Sequence, residues 1–577
     1  MPDLFAGTSG PQDAKIAIVG ESWGAEERRR RLPLVGQSGE LCDSLLSQSG
    51  IERDDCFTTN LISEQPPRNN MWEFFYPTQE ARANGKACIR GLYPKPNVVE
   101  GVELLRAQLG AVKPEVVIGF GNYTLWALTD DCFGVGDDQR RKVPTGITAW
   151  RGSQLYCRED MGGFPFMPTF HPAAAMRQWP WTYAIKHDLQ NRLPKVFRNE
   201  WAAPYYKFTI RPSYGEVMEA LDDFLELAQR SGPLRLSVDL ETYAGHIDSL
   251  GLGATAFSAI CIPFMSLNDP RGYWSPEEEW TIIQKARKLL SHPNVQIVGQ
   301  NFLYDAQYFA LYWNLFLVPY IDTMLLHHVC WPGTPKPLEY LSSLYCHYHR
   351  YWKSEDDEWQ AKGAEDEHWT YNCKDVVATL EISYELEKVV KTLGLTEQAA
   401  FQMRQFPMVL RMMLRGINID RDKRAEVSVE LAETIGQYAA RFEQLIPSDV
   451  YPPDPKKVPW YRSPQQQGYI FYDLLGVKEI TKDKRRTVND DALERIGASE
   501  PILRPIVQAI QEFRSVGVFY NTFCKKALDP DDRMRCSFNI AGTRTFRWNS
   551  DENAFKRGGN LQNIPSGTEE ELDVPKS

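Results

Sequence analysis

The sequence predicts a multidomain α/β protein whose C-terminal part is mainly helical. Its 577 residues exceed what one hydrophobic core usually supports, so about three or four domains are expected. In the first 200 residues, short apolar runs such as Lys15–Val19 and Val116–Ile118 each reach a glycine, which is typical of a parallel sheet covered by helices. Long amphipathic stretches such as Gln402–Arg415 and Arg424–Leu445 predict helices further along the chain.

Changes in this pattern divide the chain into three predicted domains. Around Trp201–Pro212 the chain becomes irregular and contains proline, and a new strand pattern starts at Leu234. From about Thr396 the strand signals fade and helical periodicity takes over. We therefore expect domains at residues 1–203, 204–395 and 396–577.

The composition excludes several functional classes. Hydrophobic residues make up 43% and charged residues 24% of the chain, and no run of about 18 apolar residues predicts a membrane span. The start of the chain lacks the pattern of a secretory signal, so we expect a cytoplasmic protein without a membrane partner. Its eleven cysteines include no Cys-x-x-Cys pair, which argues against a zinc ribbon and a disulfide framework.

The charge distribution is compatible with DNA binding. The net charge of −11 does not favour nucleic acid by itself, because phosphate contacts need clustered Lys and Arg. Such clusters occur at Arg28–Arg31, Arg140–Lys142 and Lys482–Arg486. Each alone is typical of a solvated surface, so the clusters agree with a DNA function without establishing one.

A predicted strand presents two carboxylates on one face. In Leu234–Glu241, apolar residues alternate with polar ones. Successive side chains of a strand point to opposite faces, so Asp239 and Glu241 are predicted to share one side.

Two further pairs are spaced four residues apart. Asn301 and Asp305 form one pair, and Tyr371 and Asp375 form the other. Residues four apart are neighbours on a helix surface, so each pair is predicted to share one helix face.

Clustered carboxylates predict a divalent metal site. Two unit charges about 4 Å apart repel by about 4 kcal/mol at an effective dielectric of about 20, so a cation must compensate. Two Mg²⁺ or Mn²⁺ ions roughly 3.5 to 4 Å apart can hold an attacking hydroxide and stabilise the leaving 3′ oxygen in phosphodiester cleavage. We therefore predict hydrolysis at the end of a DNA strand.

The ordered set of motifs resembles the DEDDy exonucleases, the proofreading domains of family-A and family-B polymerases, over roughly residues 205–395. Further agreement comes from Ile247–Gly251 after the first motif and Asp322–Leu326 after the second. The resemblance implies a ribonuclease-H-like fold with two Mg²⁺ or Mn²⁺ ions per site. The roles expected from it are the catalytic metal for Asp239, Glu241 and Asp375, the second metal for Asp305, orientation of the attacking water for Tyr371, and substrate binding for Asn301.

The C-terminal part resembles family-A DNA polymerases at the junction of the thumb and the palm. Met412–Asp420 and Ser463–Gln466, followed by Leu474–Gly476, resemble the thumb region. Gly542–Ser550 and then Asn560–Pro565 resemble the family's Thr-Gly-Arg and Gln-Asn-Ile-Pro segments in the same order.

In that family these segments lie against primer and template. The guanidinium of Arg547 is accordingly expected to donate hydrogen bonds to a phosphate or to a minor-groove acceptor. Gln562 and Asn563 are expected to donate to the acceptors that all base pairs share in the minor groove. Phe546 stands where the family has glycine, and a side chain there would crowd a close backbone approach.

The sequence ends at Ser577, before the family's metal-binding Asp motif, its nucleotide-binding Lys and Tyr helix and its second catalytic Asp. We therefore expect no DNA synthesis by this chain alone. Either a separate chain supplies the rest of the palm and the fingers, or the sequence is truncated. The sequence does not choose between these two alternatives.

Residues 12–195 resemble the uracil-DNA glycosylase superfamily, in particular its family-4 members. The resemblance implies that Asn60 bonds the pairing edge of a flipped base, that His171 stabilises charge on the departing base, and that Glu21 lies at the catalytic loop. The matching stretches, in the family's order, are Gly20–Gly24, Leu34–Gly39, Thr59–Asn60 with Pro66–Pro67, Trp150–Gly152 and Pro168–Pro172.

Two departures from that family predict weak or absent base excision. Leu34 stands where these enzymes have a Phe that stacks on uracil, and Trp23 replaces a loop proline. At most one of the four cysteines of the family's iron-sulfur cluster is matched, by Cys88, so no cluster is expected. Two interpretations stay open: a fold retained to bind DNA or a partner, and an altered or residual excision activity.

The leading hypothesis is a metal-dependent 3′-to-5′ proofreading exonuclease within a replicative DNA polymerase of a bacteriophage. Its partners would be a single-stranded 3′ end and a primer-template in the cytoplasm of an infected bacterium. The competing hypothesis is a non-catalytic DNA-binding or assembly subunit of a replication complex. Magnesium-dependent digestion of a labelled 3′ end separates the two.

Overall fold

The computed structural model describes residues 4–131, 146–230, 232–353, 365–447, 450, 458–482 and 485–564. The chain divides into two compact units. The first comprises residues 1–406 and 544–546, and the second comprises residues 407–543 and 547–577. Of the sequence features named above, Arg140–Lys142, residues 483–484 and Pro565 lie outside the described residues.

The front of the first unit is a mainly parallel sheet. Its strands are β1 (Ile16–Ser22), β2 (Cys56–Ile62), β3 (Val116–Phe120), β4 (Leu155–Tyr156) and β5 (Pro165–Thr169), in the order β2-β1-β3-β5-β4. Only the β4–β5 pairing is antiparallel among these described strands. The helices around the sheet are α1 (Ala25–Arg30), α2 (Gln37–Ser47), α3 (Thr78–Ala83), α4 (Pro96–Val112), α5 (Asn122–Leu128), α6 (Ile147–Trp150), α7 (Pro172–Ala175), α8 (Trp181–His187) and α9 (Pro194–Phe197).

Both faces of this sheet are buried, which explains why its central strands β1 and β3 are mostly apolar. Along β1, Ala17 and Val19 belong to one hydrophobic core and Ile18 belongs to the other. Helix α4 contributes Leu105 to the first core, and α2 contributes Leu46 to the second. The predicted parallel sheet covered by helices is therefore confirmed.

The rest of the first unit is a mixed sheet crossed by one long helix. Its strands are β6 (Lys207–Thr209), β7 (Leu234–Tyr243), β8 (His246–Thr255), β9 (Ser258–Pro263), β10 (Val295–Gly299) and β11 (Ile321–Asp322), in the order β11-β10-β7-β8-β9-β6. Its helices are α10 (Tyr214–Arg230), α11 (Pro276–Leu290), α12 (Leu303–Trp313), α13 (Thr323–Cys330), α14 (Leu338–Tyr345) and α15 (Glu365–Thr392). Strands β7, β8 and β9 are antiparallel to their neighbours in this meander, whereas β10 runs parallel to β7, and α15 packs across the meander. This arrangement agrees with the ribonuclease-H-like fold that the resemblance implied.

The second unit is mainly helical, as predicted. Helix α16 (Thr396–Arg415) enters it, and an aromatic core that includes Phe442, Trp460 and Phe513 holds the helices together. The other helices are α17 (Arg421–Leu445), α18 (Pro464–Gly468), α19 (Asp490–Ser499) and α20 (Arg504–Phe519). Its short strands are β12 (Ile417–Asn418), β13 (Thr481–Lys482), β14 (Arg485–Arg486), β15 (Arg533–Met534), β16 (Cys536–Asn539) and β17 (Asn549–Glu552). Among the described helices of the whole chain, none has the length and apolar character that crossing a membrane requires.

Candidate functional site

Three carboxylates from two elements meet on the mixed sheet. Asp239 and Glu241 lie two residues apart on β7, and Asp375 lies on α15. Each offers one oxygen to a group whose atoms all lie within 4.8 Å of one another. The prediction that Asp239 and Glu241 share one face of a strand is therefore confirmed.

Close packing of α15 on β8 brings Asp375 to this position. A Cβ atom added at Gly251 would lie 2.3 Å from Oδ1 of Asn372 and 2.6 Å from Cγ2 of Val376. Only glycine permits this approach of the helix to the strand. From the same turn of α15, the Asn372 amide donates a hydrogen bond of 2.9 Å to Asp239 Oδ2, which links the helix to β7.

The electrostatics of the cluster favour a bound cation. Burial, and then the charge of Asp375, raises the pKa of Asp239 to about 7. A group of carboxylate oxygens without sulfur or imidazole is the hard donor set that Mg²⁺ and Mn²⁺ prefer. The residues present therefore fit the divalent metal that the sequence predicted.

Asp305 lies beside this cluster but outside the group of three. It is buried in the first turn of α12, and its Oδ1 accepts a hydrogen bond of 2.9 Å from the Leu240 amide on β7. Burial, and then the charge of Asp239, raises the pKa of Asp305 well above its usual value. The carboxylate thus faces the strand that carries Asp239.

One predicted helix face is wrong. Asn301 does not lie on a helix with Asp305, because α12 begins only at Leu303 and Asn301 has a left-handed backbone with a φ of 54°. The preceding turn is held by Asp322, whose carboxylate accepts hydrogen bonds from the amides of Asn301 at 3.2 Å and Phe302 at 2.8 Å. Asn301 is instead exposed in this turn. The second predicted pair, Tyr371 and Asp375, does share one face of a helix, α15.

Two residues that sequence reasoning missed contact Asp375. The Trp352 indole donates a hydrogen bond of 2.7 Å to Asp375 Oδ1, and the Lys353 ammonium donates to Asp375 Oδ2 and to the Tyr371 hydroxyl. Burial alone would lower the pKa of Lys353, but the charge of Asp375 raises it above its usual value. A Trp-Lys pair eighteen residues before Tyr371 has no periodic relation to the motifs, so no sequence signal pointed to it.

The glycosylase-like residues gather at one edge of the front sheet. Gly20 on β1 is in register with Asn60 on β2, Glu21 follows Gly20, and His171 lies just beyond β5. The carboxyl ends of parallel strands form a common crevice, so Glu21, Asn60 and His171 come to the same edge. Leu34 lies in the loop before α2 with a φ of 49° and is 2% exposed.

Each polar group of this edge has a distinct environment. Burial raises the pKa of Glu21 to about 7, although its carboxylate accepts a hydrogen bond of 3.0 Å from the Tyr123 amide. Burial lowers the pKa of His171 to about 4, and its Nδ1 accepts from the Ala173 amide at 3.1 Å, which leaves Nε2 as the donor. Asn60 lies near the Glu27 carboxyl, but within the described residues neither of its buried amide atoms has a hydrogen bond of ordinary geometry.

Three polymerase-like residues are exposed on the second unit. Strands β16 and β17 form a hairpin, and Arg547, Gln562 and Asn563 are all exposed. The Gln562 amide donates to the Trp548 carbonyl at 3.1 Å, which joins the two motifs. Phe546, where the family has glycine, adopts a φ of 61°, the left-handed region that glycine enters without strain.

Comparison with known proteins agrees with this arrangement. Residues 7–192 match the family model described as the uracil DNA glycosylase superfamily. A type-4 uracil-DNA glycosylase of Thermotoga maritima is 32% identical over 168 residues, which are 29% of this chain and 69% of that enzyme. The chain belongs to the uracil-DNA glycosylase superfamily through its first domain.

The uracil-DNA glycosylase domain is followed by a second matched domain. Residues 217–391 match the family model described as 3′-5′ exonuclease, so the chain carries a glycosylase-superfamily domain and then a 3′-5′ exonuclease domain. Both predicted resemblances are confirmed.

A longer match covers nearly the whole chain. A DNA polymerase of Bacillus phage SP01 is 22% identical over 648 residues, which cover 98% of this chain and 65% of the phage protein. A solved structure of the POL domain of Pol1 from M. smegmatis, in complex with DNA primer-template and dNTP, has a TM-score of 0.44 and 19% identity and covers 63% of this chain and 56% of that one. The expectation that a separate chain supplies the palm and the fingers receives no support from the phage relative, of which this chain spans just under two thirds.

Proposed function

We propose that this protein is a metal-dependent 3′-to-5′ DNA exonuclease that proofreads for a family-A replicative DNA polymerase in a phage-infected bacterial cytoplasm. The observation that carries the proposal is the group of Asp239, Glu241 and Asp375, whose oxygens lie within 4.8 Å of one another where β7 meets α15. Asp305 on α12 and Tyr371 on α15 lie beside it. Four gathered carboxylates repel one another, and the one ammonium described beside them, that of Lys353, balances a single negative charge, so a divalent cation would stabilise the group. The match to the 3′-5′ exonuclease family model supports the same activity.

The expected reaction is hydrolysis of the terminal phosphodiester. Water adds to phosphorus, the bond from phosphorus to the 3′ oxygen breaks, and a nucleoside 5′-monophosphate leaves a strand with a free 3′ hydroxyl. The water loses one proton and the departing 3′ oxygen gains one. Two divalent ions, when bound, supply Lewis-acid stabilisation of both reacting oxygens.

Residues of this chain would bind the metals and orient the water. Asp239, Glu241 and Asp375 would hold one metal, and Asp305 would help to hold the second. The Tyr371 hydroxyl would orient the water.

Contacts to the DNA lie outside the metal cluster. Asn301, exposed at the turn before α12, would bind the strand end. On the second unit, the exposed residues Arg547, Gln562 and Asn563 would contact the primer-template. We also propose that the chain has three domains, with boundaries after residues 203 and 395.

The deciding experiment is digestion of a 3′-mismatched primer-template labelled at the 5′ end of its primer. We expect shortening of the primer with Mg²⁺ and none with EDTA. A protein that binds this DNA but leaves the primer intact at every Mg²⁺ and Mn²⁺ concentration would instead be the non-catalytic assembly subunit.

Replacing Tyr371 with phenylalanine should reduce digestion less than replacing a carboxylate. Tyr371→Phe removes one hydroxyl that positions water and removes no charge, so we expect a loss of about 10- to 100-fold, at or below the lower end of the range typical for groups that transfer a proton. Single-turnover digestion measures it. A loss as large as that of Asp375→Ala would mean that Tyr371 also holds the cluster together.

For the front domain, we propose base binding with little or no excision of uracil from double-stranded DNA. Support comes from Leu34, whose buried aliphatic side chain offers no aromatic face beside Gly20 and Asn60. An aromatic platform contributes about 1 to 3 kcal/mol per stacked base, so its loss weakens recognition by about one or two powers of ten. Single strands, which need no unpairing, should bind better.

Leu34→Phe tests this proposal. We expect the variant to bind a uracil-containing single strand about 10- to 100-fold more tightly than the unmodified protein. Leu32→Phe, in the same loop but at a 40% exposed position, is the matched control and should change nothing. If excision stays undetectable in Leu34→Phe, the domain is a binding module; efficient excision by the unmodified protein would contradict the proposed role of the stacking position.

A further inference from the structure

The segment that supplies Trp352 and Lys353 lies between the two domains of the first unit. This segment, residues 346–353, follows α14. Its last two residues donate hydrogen bonds to both carboxylate oxygens of Asp375. Trp352 is 6% exposed, so its indole is fixed by packing as well as by this bond.

The front domain binds the start of the segment through one buried arginine. Arg192, in the π-helical turn Asp188–Arg192, donates from Nη1 to the carbonyls of Cys346 at 2.8 Å and His347 at 2.9 Å. From Nη2 it donates to the carbonyls of Ser342 at 3.1 Å and Ser343 at 2.6 Å. A buried guanidinium fixed by four carbonyls holds the end of α14 and the first residues of the segment in one geometry.

The front domain also binds the middle of the segment. The backbone amide of Gln154 donates a hydrogen bond to the His349 carbonyl at 2.7 Å, and the backbone amide of Tyr351 donates to Ser153 Oγ at 3.2 Å. The Tyr351 ring packs against Trp150 with centroids 5.0 Å apart. These contacts end one residue before Trp352, so the backbone that carries Trp352 and Lys353 leaves the front domain in a fixed direction.

The exonuclease domain holds the same segment mainly at its start. Glu381 accepts from the His347 amide at 2.7 Å, and Ser342 shares a hydrogen bond of 3.0 Å with His349. From Arg350 onward, Trp352 and Lys353 donate hydrogen bonds to Asp375 and Tyr371 themselves, and Trp352 shares a hydrophobic core with Tyr371 and Ala378. The front domain adds to this packing by holding the backbone that leads to Trp352 and Lys353.

We propose that the uracil-DNA glycosylase domain is a structural part of the exonuclease site: through Arg192 and residues 150–154 it holds the 346–353 segment, whose Trp352 and Lys353 position Asp375 and Tyr371. Trp352 and Lys353 are positioning residues, because they act on the carboxylate and the hydroxyl that would handle metal and water. This inference rests on the proposed exonuclease function. It also explains how the first domain can be required for digestion whether or not it excises a base.

The test uses the full chain with Arg192→Met, which removes all four carbonyl contacts and keeps an unbranched side chain. Arg90→Met is the matched control, since Arg90 also donates to backbone carbonyls, those of Trp126 at 2.8 Å and Thr129, but entirely within the front domain. Three quantities are measured: the digestion rate at saturating DNA and Mg²⁺, the affinity of the DNA-free protein for Mn²⁺, and amide hydrogen exchange in residues 346–353.

We expect Arg192→Met to speed exchange in the segment and to lower both the digestion rate and the Mn²⁺ affinity about 10- to 100-fold, the loss typical when a partner of a metal ligand is removed. Arg90→Met should match the unmodified protein in all three. Trp352→Phe, which deletes the indole donor and keeps a smaller aromatic ring, should lower Mn²⁺ affinity about tenfold. In the Lys353→Met and Trp352→Phe double variant, adding Arg192→Met should not lower the digestion rate or the Mn²⁺ affinity further. The two side chains through which the front domain acts on Asp375 are already removed in that variant.

The proposal is overturned if Arg192→Met exchanges faster in the segment but digests DNA and binds Mn²⁺ like the unmodified protein. If Arg192→Met does not fold, Arg192→Lys and Trp352→Phe are measured instead. Normal Mn²⁺ affinity in both of these variants would overturn the proposal. Failure of the proposed function looks different. In that case the unmodified protein itself shows no Mg²⁺-dependent digestion, while Mn²⁺ affinity and hydrogen exchange still report on the positioning.

Discussion

Asp375→Ala is expected to abolish 3′-end digestion, with a loss of about a thousandfold or more. Asp375 is 5% exposed and contributes an oxygen to the carboxylate group, so its loss removes a metal ligand. A bound metal supplies several kcal/mol of transition-state stabilisation, and each 1.36 kcal/mol corresponds to a factor of ten in rate. Asp239→Ala and Asp305→Ala should behave alike, while single-strand binding stays largely intact because these substitutions remove metal ligands and leave the proposed DNA contacts in place.

The matched control is Asp366→Ala, which removes a carboxylate from the same helix, α15, at an exposed position where it pairs with Arg211. Single-turnover digestion of a labelled single strand should show normal rates for this variant. Residual activity of Asp375→Ala within tenfold of the unmodified protein would rule out the assigned cluster.

Asp188→Ala is expected to destabilise the first unit by about 3 to 5 kcal/mol, because it leaves Arg151 buried without its counter-ion. Both side chains are almost fully buried, and Arg151 Nε donates to Asp188 Oδ2 at 3.1 Å while the Thr169 hydroxyl donates to the same oxygen at 2.6 Å. Chemical denaturation measures the effect. The control is Asp43→Ala, whose partner Arg53 lies 2.8 Å away but whose own side chain is 53% exposed, so it should cost less than about 1 kcal/mol.

The pH dependence of this effect has a defined sign. Burial alone would raise the pKa of Asp188, but the charge of Arg151 lowers it to about 2. An unfolded aspartate titrates at about 3.9, so the ion pair stabilises the fold above that pH and loses its contribution as the pH falls through about 4 towards 2. The stability difference between the unmodified protein and Asp188→Ala should shrink over this window. A difference that stays constant down to pH 2 would contradict the charged pair.

The sequence determined the fold class and the shared faces of two residue pairs, because both depend on short-range periodicity. Alternation in Leu234–Glu241 placed Asp239 and Glu241 on one face of β7, and the four-residue spacing placed Tyr371 and Asp375 on one face of α15. The same rule failed for Asn301, because the Asp322 carboxylate binds the preceding amides and delays the helix until Leu303. A side chain from twenty residues away cannot be read from a local pattern.

Only the tertiary structure decided what surrounds these residues. Nothing in the order of residues indicates that Trp352 and Lys353 reach Asp375, or that Arg192 of the first domain binds the segment that carries them. Which residues share a face of a helix or strand depends on the repeat of the backbone, so the periodicity of the sequence predicts it. Which faces meet depends on packing between elements distant in the chain. Here close contact at Gly251 brings α15 onto β8, and the buried Arg192 joins the front domain to the segment beside Asp375.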